Sequence, residues 1–144
     1  MPLAKIDAKF KRLFACKLQV RVADLNYGNH VGNDRILSYF HEARVLWLTH
    51  HNLSEQNVGG CGLIMAGAKV EYLRQAHLHQ LLSLTLGGRD VGKARFTLVY
   101  KITDDNTQQT IALGETHMAC FDYPHQKPVR APQALITALG YPTP

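Results

Sequence analysis

Residues 23–48 read ADLNYGNHVGNDRILSYFHEARVLWL. The opening positions are crowded with Asn, Asp, His and Gly, residues that bond their own backbone or relax its conformation in turns. From Asp34 the character changes. Ile36, Leu37, Phe40, Ala43, Trp47 and Leu48 recur at helical spacing and predict one apolar stripe on a long helix. Asn33 or Asp34 suits its N-cap, and Asp34 also suits the positive end of the helix dipole. A polar loop running into a helix start either caps that helix and nothing more, or uses its free amides for chemistry.

Working outward, ACKLQVRVAD (15–24) alternates Cys16, Leu18, Val20 and Val22 against Lys17, Gln19 and Arg21, the pattern of a half-buried strand. After the helix fades near HHNLS (50–54), NVGGCG (57–62) reads as a loop. The segments GLIMAGAKVEYLRQA (62–76), LLSLTLGGRDVGKARFTLVYKI (81–102) and IALGETHMACFDY (111–123) predict long antiparallel strands, with turns at DVGK (90–93) and DDNTQQ (104–109). The tail PQALITALGYPTP (132–144) suits one short closing helix. A helix of about 17 residues is ~25 Å long, and a strand of eight to ten residues spans ~26–34 Å. One helix can therefore lie along one antiparallel sheet, an α+β fold of two layers and a single domain over 1–144. A lone helix covers one sheet face only, and open edge strands invite a second copy, so a homodimer or homotetramer is expected.

Composition narrows the function. With 46% hydrophobic and 19% charged residues the chain is ordinary globular protein. No run approaches the ~18 apolar residues of a membrane span. The start, MPLAKIDAKFKRLF, lacks the apolar stretch of a signal peptide. Cys16, Cys61 and Cys120 form no CxxC pair, which points to reduced thiols in a cytoplasmic protein. The histidines, His50–His51 and His77–His79 included, lack an acid or Cys at ligand spacing, so no metal and no cofactor is expected. The net charge of +5 favours anionic partners, but the basic residues are dispersed and carry no RNP-like signature. A phosphate-bearing small ligand ranks above nucleic acid.

The loop and helix resemble the hotdog-fold thioesterases of the 4-hydroxybenzoyl-CoA thioesterase type, whose motif reads D-x-D-x-x-G-H-V-N-N-x-x-Y-L-x-x-F-E-E-A-R. Asp24, Leu25, Asn26, Asn29, His30, Val31, Gly32 and Asn33 fall on it, followed by Leu37, Phe40, Glu42, Ala43 and Arg44. VEYLRQA (70–76) resembles that family's second strand. The resemblance implies one long helix wrapped by an antiparallel sheet. It also implies hydrolysis of acyl-CoA or acyl-carrier thioesters at a subunit interface. A main-chain N–H at the helix start, near Asn33, would meet the thioester oxygen. Gly32 would let the ligand approach, Tyr39 would wall the acyl pocket, and Arg89, Lys93 and Arg95 would hold phosphates.

One departure from the motif changes the chemistry. The second acid is Asn26, and an amide neither takes a proton near neutral pH nor acts as a carboxylate nucleophile. A helix-end donor is worth ~10²–10³ in rate, and a positioned base another ~10²–10⁴. His30 is the substitute base, with Asn26 orienting the water or carbonyl. Asp24 is a reserve base, or else ties down the loop's own N–H groups, and Glu42 is a further acid on the helix. Two rivals follow: an acyl-CoA binding protein without turnover, and a hotdog hydratase or dehydratase pairing His30 with Glu42.

Overall fold

The computed structural model describes residues 5–7 and 9–141. The chain runs through strand β1 (Lys11–Gln19), a 3-10 turn (Val22–Asp24) and helix α1 (Asn33–His50). Strands β2 (Gly62–Tyr72), β3 (Leu81–Arg89), β4 (Arg95–Asp104) and β5 (Thr110–Asp122) follow, then the short β6 (Lys127–Pro128) and helix α2 (Gln133–Ala138). The sheet order is β1-β3-β4-β5-β2, with β6 on β5, and every pairing is antiparallel. Strand β2 thus crosses to the edge opposite β1, and the long connection that makes this possible carries α1 across the sheet. This is the one-helix, one-sheet fold expected above.

The 18 residues of α1 span ~27 Å, enough to lie along the strands. Phe40 stacks on Tyr100 of β4 with ring centroids 4.7 Å apart. It sits where a side chain on Gly114 of β5 would be, because a Cβ there would come within 2.2 Å of the ring. Leu82, Leu84 and Leu86 of β3, with Phe96, Leu98 and Ile102 of β4, complete the floor under the helix. On the opposite sheet face, Ile6 packs with Val99 and Leu113, and Phe10 joins them.

Several expectations need correction. The β1 strand stops at Gln19, and Val22 is 71% exposed because the chain turns away into the 3-10 turn. Leu37 is 42% exposed, whereas Tyr39 and Arg44 are buried beside Ile36, Phe40, Ala43, Trp47 and Leu48. Arg44 tolerates burial because its Nη1 donates to the Tyr100 hydroxyl (3.0 Å) and its Nε faces the Glu55 carboxylate (3.5 Å). Neither Asn33 nor Asp34 caps the helix; Gly32 does, without a side chain. The turns at 90–93 and 104–109 fall between β3 and β4 and between β4 and β5. The closing helix is α2, and residues 142–144 of that tail lie outside the described range.

Candidate active site

The loop before α1 is organised by Asn26. Its Oδ1 accepts from the N–H groups of Gly28 (2.9 Å) and His30 (3.2 Å), while its own N–H donates to the His30 carbonyl (2.8 Å). Leu25 and Val31 bridge behind this turn. The left-handed position is filled by Asn29, at φ 63°, and by neither Gly28 nor Gly32, contrary to the usual assignment of that role to glycine. Gly32 is small for another reason. A Cβ there would lie 2.5 Å from Asp34 Oδ1, which folds back over the helix start.

Two hydrogen bonds then aim the helix. The Gly32 N–H donates to the Asp24 carbonyl (3.1 Å), and the Val31 N–H donates to the carbonyl of Ala76, beyond β2 (3.0 Å). The glycine cap offers no side-chain acceptor. The N–H groups of Asn33 and Asp34 have no acceptor among the described residues, whereas those of Arg35 and Ile36 reach the Gly32 carbonyl. These are free donors at the positive end of an 18-residue helix. A cleft of about 240 Å³ opens there, lined by Val31, Asn33, Ile36, Tyr72, Leu73, Arg74, Gln75 and Ala76. The Tyr72 hydroxyl donates to the Asn33 carbonyl (3.2 Å), and Arg74 Nη1 donates to the Thr110 carbonyl (3.0 Å).

Among the candidates from the sequence, Asn33 lines this cleft and Gly32 adjoins it as the helix cap. Asn26 and His30 stand on the loop leading in, outside the cleft's lining. The His30 and His77 rings meet in a tilted edge-to-face contact, with centroids 5.3 Å apart, and the His30 Nδ1 is buried without a partner among the described residues.

Asp24, Tyr39 and Glu42 gather elsewhere, in a cleft of about 470 Å³ between the end of β1 and α1, with Leu18, Gln19, Arg21, Arg35 and Ser38. The Asp24 carboxylate is 3% exposed and accepts the Arg21 N–H (2.9 Å), so it ties the loop together. The Tyr39 hydroxyl is buried beside it without a well-formed hydrogen bond; burial first, and the Asp24 carboxylate second, push this phenol up. Burial, with a smaller contribution from Glu42, raises the Cys16 thiol. Glu42 does not meet His30, so the acid–histidine pair of a hydratase is not assembled within the chain.

None of the phosphate candidates lines the cleft at Asn33. Arg89 is engaged by the buried Glu115 carboxylate, by the Asp7 carbonyl (2.8 Å) and by Asp90 (3.4 Å), on the sheet face away from α1. Arg95 borders a separate cleft with Asp90, Thr97 and His117, and Lys93 lies in the β3–β4 connection. Tyr72, Arg74 and His77 are the residues the sequence reading missed around the helix start. Their signal is absent because their closeness to Asn33 and His30 arises only when β2 crosses the sheet. Among the described residues there is no group of three or more side chains placed to hold a metal ion, and no helix long and apolar enough to cross a membrane.

The family model of the thioesterase-like superfamily matches residues 20–139. The chain belongs to the thioesterase-like superfamily. A member from Synechocystis sp. (strain ATCC 27184 / PCC 6803 / Kazusa), a 1,4-dihydroxy-2-naphthoyl-CoA hydrolase, is 30% identical over 129 residues, covering 88% of this chain and 94% of that protein. The crystal structure of a 1,4-dihydroxy-2-naphthoyl-CoA thioesterase from Synechocystis superposes with a TM-score of 0.81 at 30% identity, again covering 88% of this chain and 94% of that one. A Staphylococcus aureus protein solved in complex with CoA shares the fold, with a TM-score of 0.80 at 16% identity over 97% of this chain and 92% of that one. The hotdog fold and the enzyme class expected from residues 23–48, an acyl-CoA thioester hydrolase, are thereby borne out.

Proposed function

We propose that this superfamily member hydrolyses acyl-CoA thioesters by direct attack of water, with the thioester carbonyl held at the Asn33 N–H. The observation that carries the reading is the glycine cap: it leaves the first amides of α1 without acceptors at the mouth of a cleft. Water attacks the carbonyl carbon and gives up a proton to His30. Because Nδ1 is buried, exchange goes through Nε2. The oxyanion of the tetrahedral intermediate sits on the Asn33 N–H, where helix-end donors favour negative charge. Collapse breaks the C–S bond, and the departing thiolate takes the proton from the imidazolium. The carboxylic acid and free CoA remain. Asn26 takes part through its Nδ2 donor, since its Oδ1 already accepts two loop N–H groups.

The cleft, at about 240 Å³, lies below the ~300–1,000 Å³ of a whole ligand pocket and suits the acyl end of the substrate alone. A hydroxyaryl thioester such as 1,4-dihydroxy-2-naphthoyl-CoA, named for the Synechocystis relative, is the first substrate to try. The pantetheine and phosphates would then run outward over the surface, with Lys93 and Arg95 the phosphate candidates that lack an ion pair among the described residues; Arg89 is spent on Glu115. The three cysteines are free thiols, which suits a cytoplasmic enzyme of one domain.

A homodimer completes the reading. The outer edge of β2 is unpaired among the described residues, and Ile64 and Met65 on it are exposed together with Leu37 of α1. The other edge, β1, carries Lys11, Arg12 and Lys17, charges that discourage edge pairing. Pairing of two β2 edges would extend both sheets and close the flank of α1 nearest the Asn33 cleft.

The purified protein should release CoA from at least one member of a panel of aryl and alkyl thioesters, and His30→Ala should lower the rate ~10²-fold or more. Asn26 offers a reason for a rival: the amide replaces an acid, so ligand binding without turnover across the panel would establish a non-catalytic acyl-CoA binder instead.

A further inference from the structure

His30 has an unusual environment for a base. An imidazole that works as a general base is ordinarily oriented by a hydrogen bond from its second nitrogen to a carboxylate or carbonyl. Here Nδ1 is buried and has no such partner. The last side-chain torsion of histidine is broad and roughly two-fold; no hydrogen bond to Nδ1 fixes the ring, so its packing neighbours must. What touches it is another imidazole. The His77 ring lies 5.3 Å away at an interplanar angle of 67°, an edge-to-face contact of the kind aromatic pairs prefer.

His77 is itself held on a scaffold. Its main-chain N–H donates to Gln80 Oε1 (2.9 Å), and Gln80 Nε2 donates to the Asp104 carboxylate. That carboxylate also accepts the N–H groups of Asn106 (2.7 Å) and Thr107 (2.9 Å) in the β4–β5 turn. The bond from the Val31 N–H to the Ala76 carbonyl locks the two histidine-bearing loops side by side. The backbone of His77 is thus tied through Gln80 to the β4–β5 turn, and the His77 ring, exposed on the outer side, rests against the base.

We propose that His77 is a positioning residue for hydrolysis: its ring, in place of a carboxylate, sets the orientation of the His30 imidazole toward the Asn33 cleft. This rests on His30 being the base. The contact requires an aromatic ring and no proton, which makes it separable from ordinary loop stabilisation. His77→Ala removes the wall and should cut kcat about 10-fold with KM unchanged, since the substrate contacts remain and only the base is misaligned. His77→Phe keeps an aromatic ring and should restore kcat to within about threefold of the parent.

Both variants, with His30→Ala, are to be assayed on the best thioester of the panel, with melting curves recorded for each. If His30→Ala is as active as the parent, the base assignment itself is wrong. If His30→Ala is inactive while His77→Ala is fully active, the positioning role is refuted and the base assignment survives. Failure of His77→Phe to recover activity in a protein that melts like the parent also overturns the proposal. A rise in KM with kcat intact would also overturn it, assigning His77 to substrate contact instead.

Discussion

Gly32 and Gly114 show how single residues decide this molecule, and neither does so through a left-handed backbone. Gly114 gives its Cβ space to Phe40, and Gly114→Ala forces the ring and helix outward from a filled core. Overpacking of this kind costs about 2 kcal/mol, a loss to be read from the urea midpoint at unchanged slope. Gly32 lies at φ −65° and ψ 149°, where alanine is comfortable, so Gly32→Ala should leave the melting temperature nearly unchanged. The added methyl displaces the Asp34 carboxylate and crowds the Asn33 N–H, and kcat/KM should fall at least ~10-fold, a part of the ~10²–10³ that loss of an oxyanion donor costs. A loss of stability matching the loss of activity would contradict this. The thiol of Cys120 belongs to the same scale. Burial, then its neighbour Cys61, push it up to about 12, so it should resist iodoacetamide in the native state at pH 8 and react only on unfolding.

At the scale of elements, α1 is held by more than its apolar stripe. Arg44 is 6% exposed and joins the Glu55 carboxylate to the Tyr100 hydroxyl, which in turn meets Thr116 Oγ1 at 2.8 Å. Glu55 also contacts His41 Nε2 at 2.5 Å. Arg44→Ala strands these partners and should cost about 2 kcal/mol, less than the ~3–5 of a fully buried pair because Glu55 is partly exposed. The β4–β5 turn carries part of the pH dependence, alongside Asp122, which His125 holds below its ordinary value by hydrogen bonding. Hydrogen bonds from Thr107 and Gln80 hold the Asp104 carboxyl below its ordinary 3.8, and Ser83 with Lys17 do the same for Asp105. Carboxyls depressed in the folded state stabilise it fully above the unfolded value. That contribution is lost as pH falls through the folded value, so the urea midpoint should drop below about pH 4. Asp104→Asn should flatten that part of the profile. The period of the helix and the alternation of the strands made these elements legible in the sequence. Arg44 was not, because a guanidinium counts as polar until a partner is found for it.

For the whole molecule, the unequal edges of the sheet predict how copies associate. Ala68→Pro and Met65→Lys, both on β2, should shift the protein toward monomer in light scattering coupled to size exclusion, while a change of Lys17 on β1 should not; a parent that is monomeric at micromolar concentration would remove the dimer proposal. The sequence by itself determined the order of elements, the single long helix on one antiparallel sheet, and the position of the polar loop at that helix's start. These follow from periodicity and turn chemistry, which are local properties of the chain. The tertiary structure alone decided which polar residues meet. It separated Asp24, Tyr39 and Glu42 from Asn33, engaged Arg89 with Glu115, and set Tyr72, Arg74 and His77 around the helix start. The reason is topological: β2 crosses the whole sheet before pairing with β5, so residues some forty positions apart come into contact there by a route that no local pattern records.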